Sequence, residues 1–288
     1  MFSIVAEPRY IEAQTVSDAG ESVDMNNSQN IRFSIPGKCE FEMALDLSRR
    51  TQRMIAESHE LSGFYEGLYS LFVAALLKPG DTVVDVGAHV GYFTLLCASL
   101  VGPEGRVYAF EPESENFRAL TENIALNRFD NVTPIQSAVG NETGSVSFYF
   151  NSDNDGGHAV WDIRRDPNNL LSRQDARRFE AKRTTLDEYF GDSPAVQFVK
   201  IDAEGSELAV VKGARRLFEN RCIDWVMWER NEEAFEKMGY SEMDVRAFVS
   251  EFGYAVSGFK NNRLSQVSSN EILSPGCELN LFFSKSKK

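Results

Sequence analysis

Nine consecutive residues, Val83-Val84-Asp85-Val86-Gly87-Ala88-His89-Val90-Gly91, constrain the fold of this chain more than any other feature. A short apolar run meets two spaced glycines, and residues 92–100 after it are apolar almost all round. The pattern reads as a buried strand, a tight turn and a buried helix. Such a unit offers free backbone N–H groups at the helix N-terminus, and glycine lets a ligand approach the chain closely. About twenty residues beyond Gly91, Val107-Tyr108-Ala109-Phe110-Glu111-Pro112 ends a second apolar strand on a carboxylate. An acid at that point is set to accept both hydroxyls of a ribose. The two signals together predict a ribose-containing cofactor.

The glycine spacing narrows the choice. Dinucleotide folds carry G-x-G-x-x-G, which packs a pyrophosphate on the helix. Here the spacing is D-x-G-x-x-x-G, with His89 where the chain would have to open for a diphosphate, and Asp85 adds a repelling carboxylate. S-adenosylmethionine, with a sulfonium, an ammonium and no phosphate, suits the turn better. The rival in another enzyme class is an NAD-dependent oxidoreductase, which the spacing disfavours. A non-catalytic scaffold of the same fold is a third reading, and the intact Asp85, Glu111 and Asp202 argue against it.

Strands are expected at 82–86, 106–110, 132–138, 199–201 and 225–229. Helices are expected at 92–100, 113–127, 204–216, and 232–238 or 242–252. This alternation predicts a mainly parallel sheet covered by helices on both faces. An extra strand falls at 146–150. Strands at 254–257 and 279–283 have no full helix between them, so the sheet closes with an antiparallel hairpin. Upstream, 24–28 reads as a loop, 31–35 as a short strand and 45–77 as helical. Phe64, Leu68, Leu71, Phe72, Ala75 and Leu76 would face the sheet edge or the cofactor, and Pro79-Gly80 ends that helix. Residues 151–183 are irregular and polar, with a possible helix at 172–182. A segment of that kind at the C-terminal edge of a parallel sheet is a substrate loop.

The chain has 288 residues, room for one α/β domain with an N-terminal extension. Its net charge of −13 argues against a nucleic-acid partner, which needs a basic surface. Cys39, Cys97, Cys222 and Cys277 show no C-x-x-C spacing. The last three lie in apolar runs, as buried thiols of a reducing cytosol do. Glu7, Glu12, Asp18, Glu21 and Asp24 rule out a usual signal peptide, and no apolar run is long enough to span a bilayer. The expected location is the cytoplasm, with the tail from Lys285 to Lys288 frayed and solvated.

A second cluster, Lys200-Ile201-Asp202-Ala203-Glu204-Gly205-Ser206-Glu207, again runs from strand to turn to helix. Asp202 ends its strand on the edge that bears the cofactor turn. Glu204 and Glu207 can be acids favoured by a helix N-terminus, and Lys200 a salt-bridge partner at the rim. Glu229 ends the next strand and would face the same site. Only three histidines exist, His59, His89 and His158. His89 belongs to the cofactor turn and His158, after two glycines, is a candidate base. No pair has metal spacing, so no metal site is predicted from them, although Asp and Glu could hold a magnesium ion that the sequence does not reveal. Neither a G-x-S-x-G elbow nor a phosphate loop is present. Arg164, Arg165, Arg177 and Arg178 could read an anionic group on the acceptor, although solvated charges are the commoner case.

In order, residues 83–96, 108–112, Thr184-Thr185-Leu186-Asp187-Glu188-Tyr189 and 199–214 resemble the FkbM family of S-adenosylmethionine-dependent methyltransferases. The most specific stretch joins Lys200–Glu207 to Val211-Lys212-Gly213-Ala214. The resemblance covers about 77–228 and departs at His89, where the family more often has Asn. It implies an α/β, Rossmann-like class I methyltransferase fold. That fold has a seven-stranded mainly parallel sheet with an antiparallel C-terminal hairpin, here after an N-terminal helical extension (1–60 and 61–288). It also implies O-methylation of a sugar, glycolipid or natural product, a small-molecule or glycan acceptor. Carried over, Asp85, Gly87 and Gly91 form the turn around the methionine part, with Ala88 and His89 between them. Glu111, followed by Pro112, holds the ribose, and Asn116 lies nearby. Ser137 and Ala138 border the adenine, and Asp202 sits near the methyl group. Asp202 is the first choice of base, with His158 and Glu229 as alternatives.

Overall fold

The computed structural model describes residues 28–166, 168–191, 195–260, 262–268 and 280–285. The acidic N-terminal positions, most of the loop expected at 24–28, Cys277 and the end of the basic tail lie outside them. Strands β1 (Ser28–Ile35) and β2 (Cys39–Asp46) form an antiparallel hairpin, followed by helices α1 (Arg50–Ser62) and α2 (Gly67–Leu76). Next come β3 (Thr82–Val86), α3 (Tyr92–Val101), β4 (Arg106–Phe110), α4 (Ser114–Asn127) and β5 (Val132–Ile135). Strands β6 (Ala138–Val139), β7 (Gly144–Tyr149) and β8 (Arg178–Thr184) make a separate small sheet in the order β6-β8-β7. The chain continues through α5 (Leu186–Phe190), β9 (Val196–Ile201), α6 (Glu207–Lys212), α7 (Arg215–Glu219) and β10 (Ile223–Glu229). It ends with α8 (Glu232–Met238), α9 (Glu242–Ser250), β11 (Tyr254–Lys260), β12 (Arg263–Gln266) and β13 (Asn280–Lys285).

The main sheet runs β12-β11-β13-β10-β9-β3-β4-β5. From β10 to β5 the strands are parallel, and β13 is antiparallel to both β10 and β11. These match the seven expected strands, except that the one expected at 132–138 ends at Ile135 and Ala138 joins the small sheet, and one short edge strand, β12, is added by a hairpin from β11. The central strands are apolar on both faces because helices cover both. Helix α3 is buried nearly all round. Parallel strands direct their C-terminal ends to one edge, which brings Asp85, Glu111, Asp202 and Glu229 together.

Four local expectations are corrected. The N-terminal extension is not simply helical: Cys39, Phe41, Met43 and Leu45 alternate inward on β2. The outer edge of β2 is satisfied by amide side chains. Asn127 and Asn123 of α4 and Gln52 of α1 accept from the N–H groups of Glu42, Ala44 and Asp46, each at 2.8 Å. The long helix at 45–77 is two helices, separated where Gly63 (φ 82°) and Glu66 (φ 47°) turn left-handed. The helix at 204–216 breaks at Gly213, where a Cβ would stand 1.9 Å from the Gly140 carbonyl oxygen. Residues 172–182 supply most of β8 rather than a helix. Cys97 is buried and Cys222 partly exposed. No helix among the described residues is long and apolar enough to cross a membrane.

Candidate cofactor and active site

The glycine turn owes its shape to neighbouring chain. At Gly87 (φ 78°) a Cβ would lie 1.8 Å from the carbonyl oxygen of Asp202, whose N–H donates to Val86 O at 3.0 Å. At Gly91 (φ 101°) it would lie 2.7 Å from Leu120 Cδ1. The N–H groups of Gly87 and Ala88 both donate to Phe110 O at 3.0 Å, and that of Gly91 to Ala88 O at 2.9 Å. His89, left-handed at φ 51°, donates its N–H to Glu111 Oε2 at 2.8 Å. The expectation of free N–H groups is therefore corrected for Gly87, Ala88 and His89, which bond to the end of β4, and for Gly91, which bonds within the turn. Side chains are left to recognise the ligand.

A cavity of about 710 Å³ opens over this turn. Asp85, Gly87, Ala88, His89, Glu111, Pro112, Asn116, Ser137, Ala138, His158, Asp202 and Glu229 all line it. Gly91 does not; it packs behind the turn. Thr51, Tyr65, Glu66, Phe93, Arg183 and Glu204 also reach the cavity. The arginines at 164, 165, 177 and 178 do not line it. Arg164 and Arg177 pair with Asp162 and Asp175, and Arg178 lies over the Tyr149 ring.

At one end Glu111 is 5% exposed. Its two oxygens accept from the N–H groups of His89 and Glu113 at 2.8 and 2.9 Å, leaving lone pairs on each for a ligand. Burial raises its pKa to about 7 against these bonds. Asp155 closes this end. Its carboxylate accepts from Thr51 N (2.7 Å) and Gln52 Nε2 (3.3 Å) and contacts His89 Nε2 at 3.0 Å, while its carbonyl accepts from Asn116 Nδ2 at 2.8 Å. Burial opposes ionisation of Asp155, but His89 and these donors bring its pKa down to about 2. The segment 151–158 is thus clasped onto the turn and α1. Further along, Trp161 donates to Glu204 O at 3.1 Å.

At the other end lie the acids. Lys200 Nζ is 3.0 Å from Asp202 Oδ2 and 3.9 Å from Asp85 Oδ1. Thr94 Oγ1 donates to Asp85 Oδ2 at 2.6 Å. Burial pushes Asp85 up; it is also the largest influence on Asp202, where Lys200 and the other neighbouring groups together outweigh it and lower the pKa. Glu204 and Glu229 are raised well above the usual range, by burial first and then by Asp202. Glu66 is raised to about 7 by burial. Carboxylate oxygens of Asp202, Glu204 and Glu229 lie within 4.8 Å of one another, an oxygen set of the kind that holds a hard cation. Glu66 sits at a break between helices, where only its left-handed φ marks it, and the sequence gives no sign of that.

His158 is corrected as a base. Its Nδ1 accepts from the Asn151 N–H at 2.9 Å, and burial lowers its pKa to about 4. A neutral ring whose accepting nitrogen is engaged can donate but not take a proton.

A family model of the methyltransferase FkbM domain matches residues 85–256. The hexuronic acid methyltransferase AglP of Haloferax volcanii is 26% identical over 185 residues, 64% of this chain and 67% of that protein. The 31-O-demethyl-FK506 methyltransferase FkbM of Streptomyces tacrolimicus is 43% identical over 75 residues, 25% of this chain and 28% of that protein. Among solved structures, methyltransferase FkbM from Methylobacillus flagellatus KT aligns with a TM-score of 0.48 at 18% identity. It covers 75% of this chain and 47% of that one.

Proposed function

The chain belongs to the FkbM family of methyltransferases, and from that premise we propose that it methylates a hydroxyl oxygen of a small-molecule acceptor, with S-adenosylmethionine as donor. The observation that carries this reading is the two-ended cavity, with Glu111 at one end and the Lys200–Asp202–Glu229 group at the other. The residues fit the cofactor. Glu111 keeps free lone pairs for ribose hydroxyls, and Asn116 Oδ1 is a buried acceptor without a partner. A dinucleotide fits less well, because the turn N–H groups that would hold its phosphates are already bonded and Asp85 lies among them.

When bound, S-adenosylmethionine supplies a methyl group activated by its sulfonium. The protein's part is mainly alignment. Glu111 takes the ribose, and Ser137 and Ala138 border the adenine. Asp202, kept ionised by Lys200, accepts the hydrogen of the acceptor hydroxyl and receives the proton as the oxygen–carbon bond forms. Burial and the nearby Asp202 raise the pKa of Glu229, which has a carboxylate oxygen within 4.8 Å of one of Asp202. A sugar or glycan is the favoured acceptor because the relative AglP is named for hexuronic acid. The net charge of −13 disfavours nucleic acid.

Calorimetric titration with S-adenosylhomocysteine and, in parallel, NADH tests the cofactor. Binding of the first alone supports the reading; binding of NADH alone overturns it. Mass-spectrometric detection of methyl transfer across a panel of sugars, glycolipids and hydroxylated natural products then tests the acceptor class.

A further inference from the structure

Besides Asp85 Oδ1, Arg183 Nε and Glu229 Oε2, two buried polar atoms of cavity-lining residues have no hydrogen-bond partner, His158 Nε2 and Asn116 Oδ1. The residues are 8% and 3% exposed. In each, the other polar atom is committed: His158 Nδ1 to the Asn151 N–H at 2.9 Å, and Asn116 Nδ2 to the Asp155 carbonyl at 2.8 Å. A neutral imidazole that accepts through one nitrogen carries its hydrogen on the other. His158 Nε2 is therefore a donor and Asn116 Oδ1 an acceptor. The ring is held by Phe150, stacked at 4.5 Å, and by Phe179, edge-on at 5.7 Å. Leaving such groups open in a buried wall is costly, and a ligand that meets both relieves the cost.

These atoms belong to the Glu111 end. Asn116 Nδ2 holds the Asp155 carbonyl, the Asp155 carboxylate contacts His89 Nε2, and the His89 N–H binds Glu111. His158 lies three residues beyond Asp155 in the same segment and lines the same cavity. A ribose that gives its hydroxyl hydrogens to Glu111 keeps oxygen lone pairs in need of donors. The N–H groups of Gly87, Ala88, His89 and Gly91 are bonded within the protein and cannot supply them.

We propose that His158 is a cofactor-binding residue: its Nε2–H donates to a ribose hydroxyl held by Glu111, and Asn116 Oδ1 accepts a hydrogen from the same nucleoside. The proposal rests on the S-adenosylmethionine reading and takes His158 from the acceptor to the cofactor. It also gives residues 151–158 a direct part in holding the nucleoside, through a segment that Asp155 fastens to the turn and to α1.

The test is calorimetric titration of the full chain with S-adenosylhomocysteine and with its 2′-deoxy and 3′-deoxy analogues. His158→Phe keeps the ring stack and removes the donor. His158→Asn keeps an acceptor for the Asn151 N–H but lacks the reach of Nε2. His158→Gln returns a donor at about that reach. Thermal melting checks that each variant folds. The first two variants are expected to bind S-adenosylhomocysteine about tenfold more weakly, and His158→Gln to recover most of the loss. One deoxy analogue should lose less affinity in His158→Phe or His158→Asn than in the wild type, because the bond it lacks is already gone. Unchanged affinity in a folded donor-less variant overturns the proposal, as do equal deoxy penalties with and without His158. Failure of the wild type to bind S-adenosylhomocysteine overturns the cofactor reading instead.

Discussion

Lys200 Nζ lies 3.0 Å from Asp202 Oδ2, two residues along the chain. The alternation of a strand puts both side chains on one face. The parallel register of β3 and β9 sets Lys200 opposite Asp85, and the Phe93 ring covers the ammonium at 5.3 Å. One buried cation therefore serves two acids. Burial works against its charge, but Asp202, Asp85 and Glu66 outweigh burial and hold its pKa above the ordinary value. Such an ammonium keeps its proton. Its effect is to lower the pKa of Asp202 among acids that burial raises.

Replacing Lys200 with Met leaves Asp85, 1% exposed, without its cation. Removing one partner of a buried pair costs on the order of 3–5 kcal/mol. Lys200→Met is thus expected to lower the urea midpoint sharply at neutral pH, and Lys200→Met with Asp85→Asn to recover part of the loss. A Lys200→Met midpoint equal to that of the wild type would show that the three groups are not coupled.

The glycine turn gives a paired test. Gly37 and Gly87 have similar backbone angles, φ 72° and 78°. A Cβ at Gly37 meets nothing within 4 Å, whereas at Gly87 it meets the Asp202 carbonyl at 1.8 Å. Gly37→Ala carries only the left-handed penalty of about 1–2 kcal/mol. Gly87→Ala adds a backbone clash and is expected to cost about 3 kcal/mol or more. Thermal melts of the two proteins decide this, and equal costs would mean that the end of β9 can move aside.

Much of this architecture was legible because it is periodic. Both strand–turn–helix units, the acids at strand ends and the antiparallel close follow from apolar runs and glycines. The strand expected at 31–35 is the first of the N-terminal hairpin, but its partner Cys39–Asp46 is not legible as a strand although it alternates cleanly, because Leu45 also starts the helical pattern that follows. The roles of Gly87 and Gly213 were hidden for a different reason. Their neighbours, Asp202 and Gly140, are distant in sequence, and close backbone approach leaves no local pattern. Glu66 and Asp155 belong to the same class: turns and tertiary hydrogen bonds carry them to the cavity.

Asp155 joins segments that no regular element connects. Asp155→Ala would remove the acceptor for Thr51 N at the start of α1 and the partner of His89 Nε2. Bonds to a charged group contribute about 1.5–3 kcal/mol each, so a loss near the upper value is expected. Its folded pKa of about 2 lies below the ordinary 3.8. Its contribution is therefore complete above about pH 3.8 and lost as pH falls through 2. Hydrogen exchange should show residues 50–62 exchanging faster in the variant while β3 and β4 stay protected. Uniformly faster exchange would indicate global loss rather than release of one clasp.

Glu111 sets a pH dependence on cofactor binding. Burial raises its pKa to about 7, as it does for Glu66 and Glu207. An unfolded glutamate gives up its proton near 4.5. Between these values the folded chain binds more protons than the unfolded one, so these groups make stability fall as pH rises from about 4.5 to 7. Ligand hydroxyls that donate to Glu111 favour its ionised form. Affinity for S-adenosylhomocysteine should therefore climb as pH rises through about 7 and level off above it, with a proton released on binding below that point. Glu111→Gln should bind more weakly at high pH and lose that rise. Titrations in buffers of different ionisation enthalpy report the proton directly. A proton taken up rather than released would mean that Glu111 meets the ligand as a neutral acid.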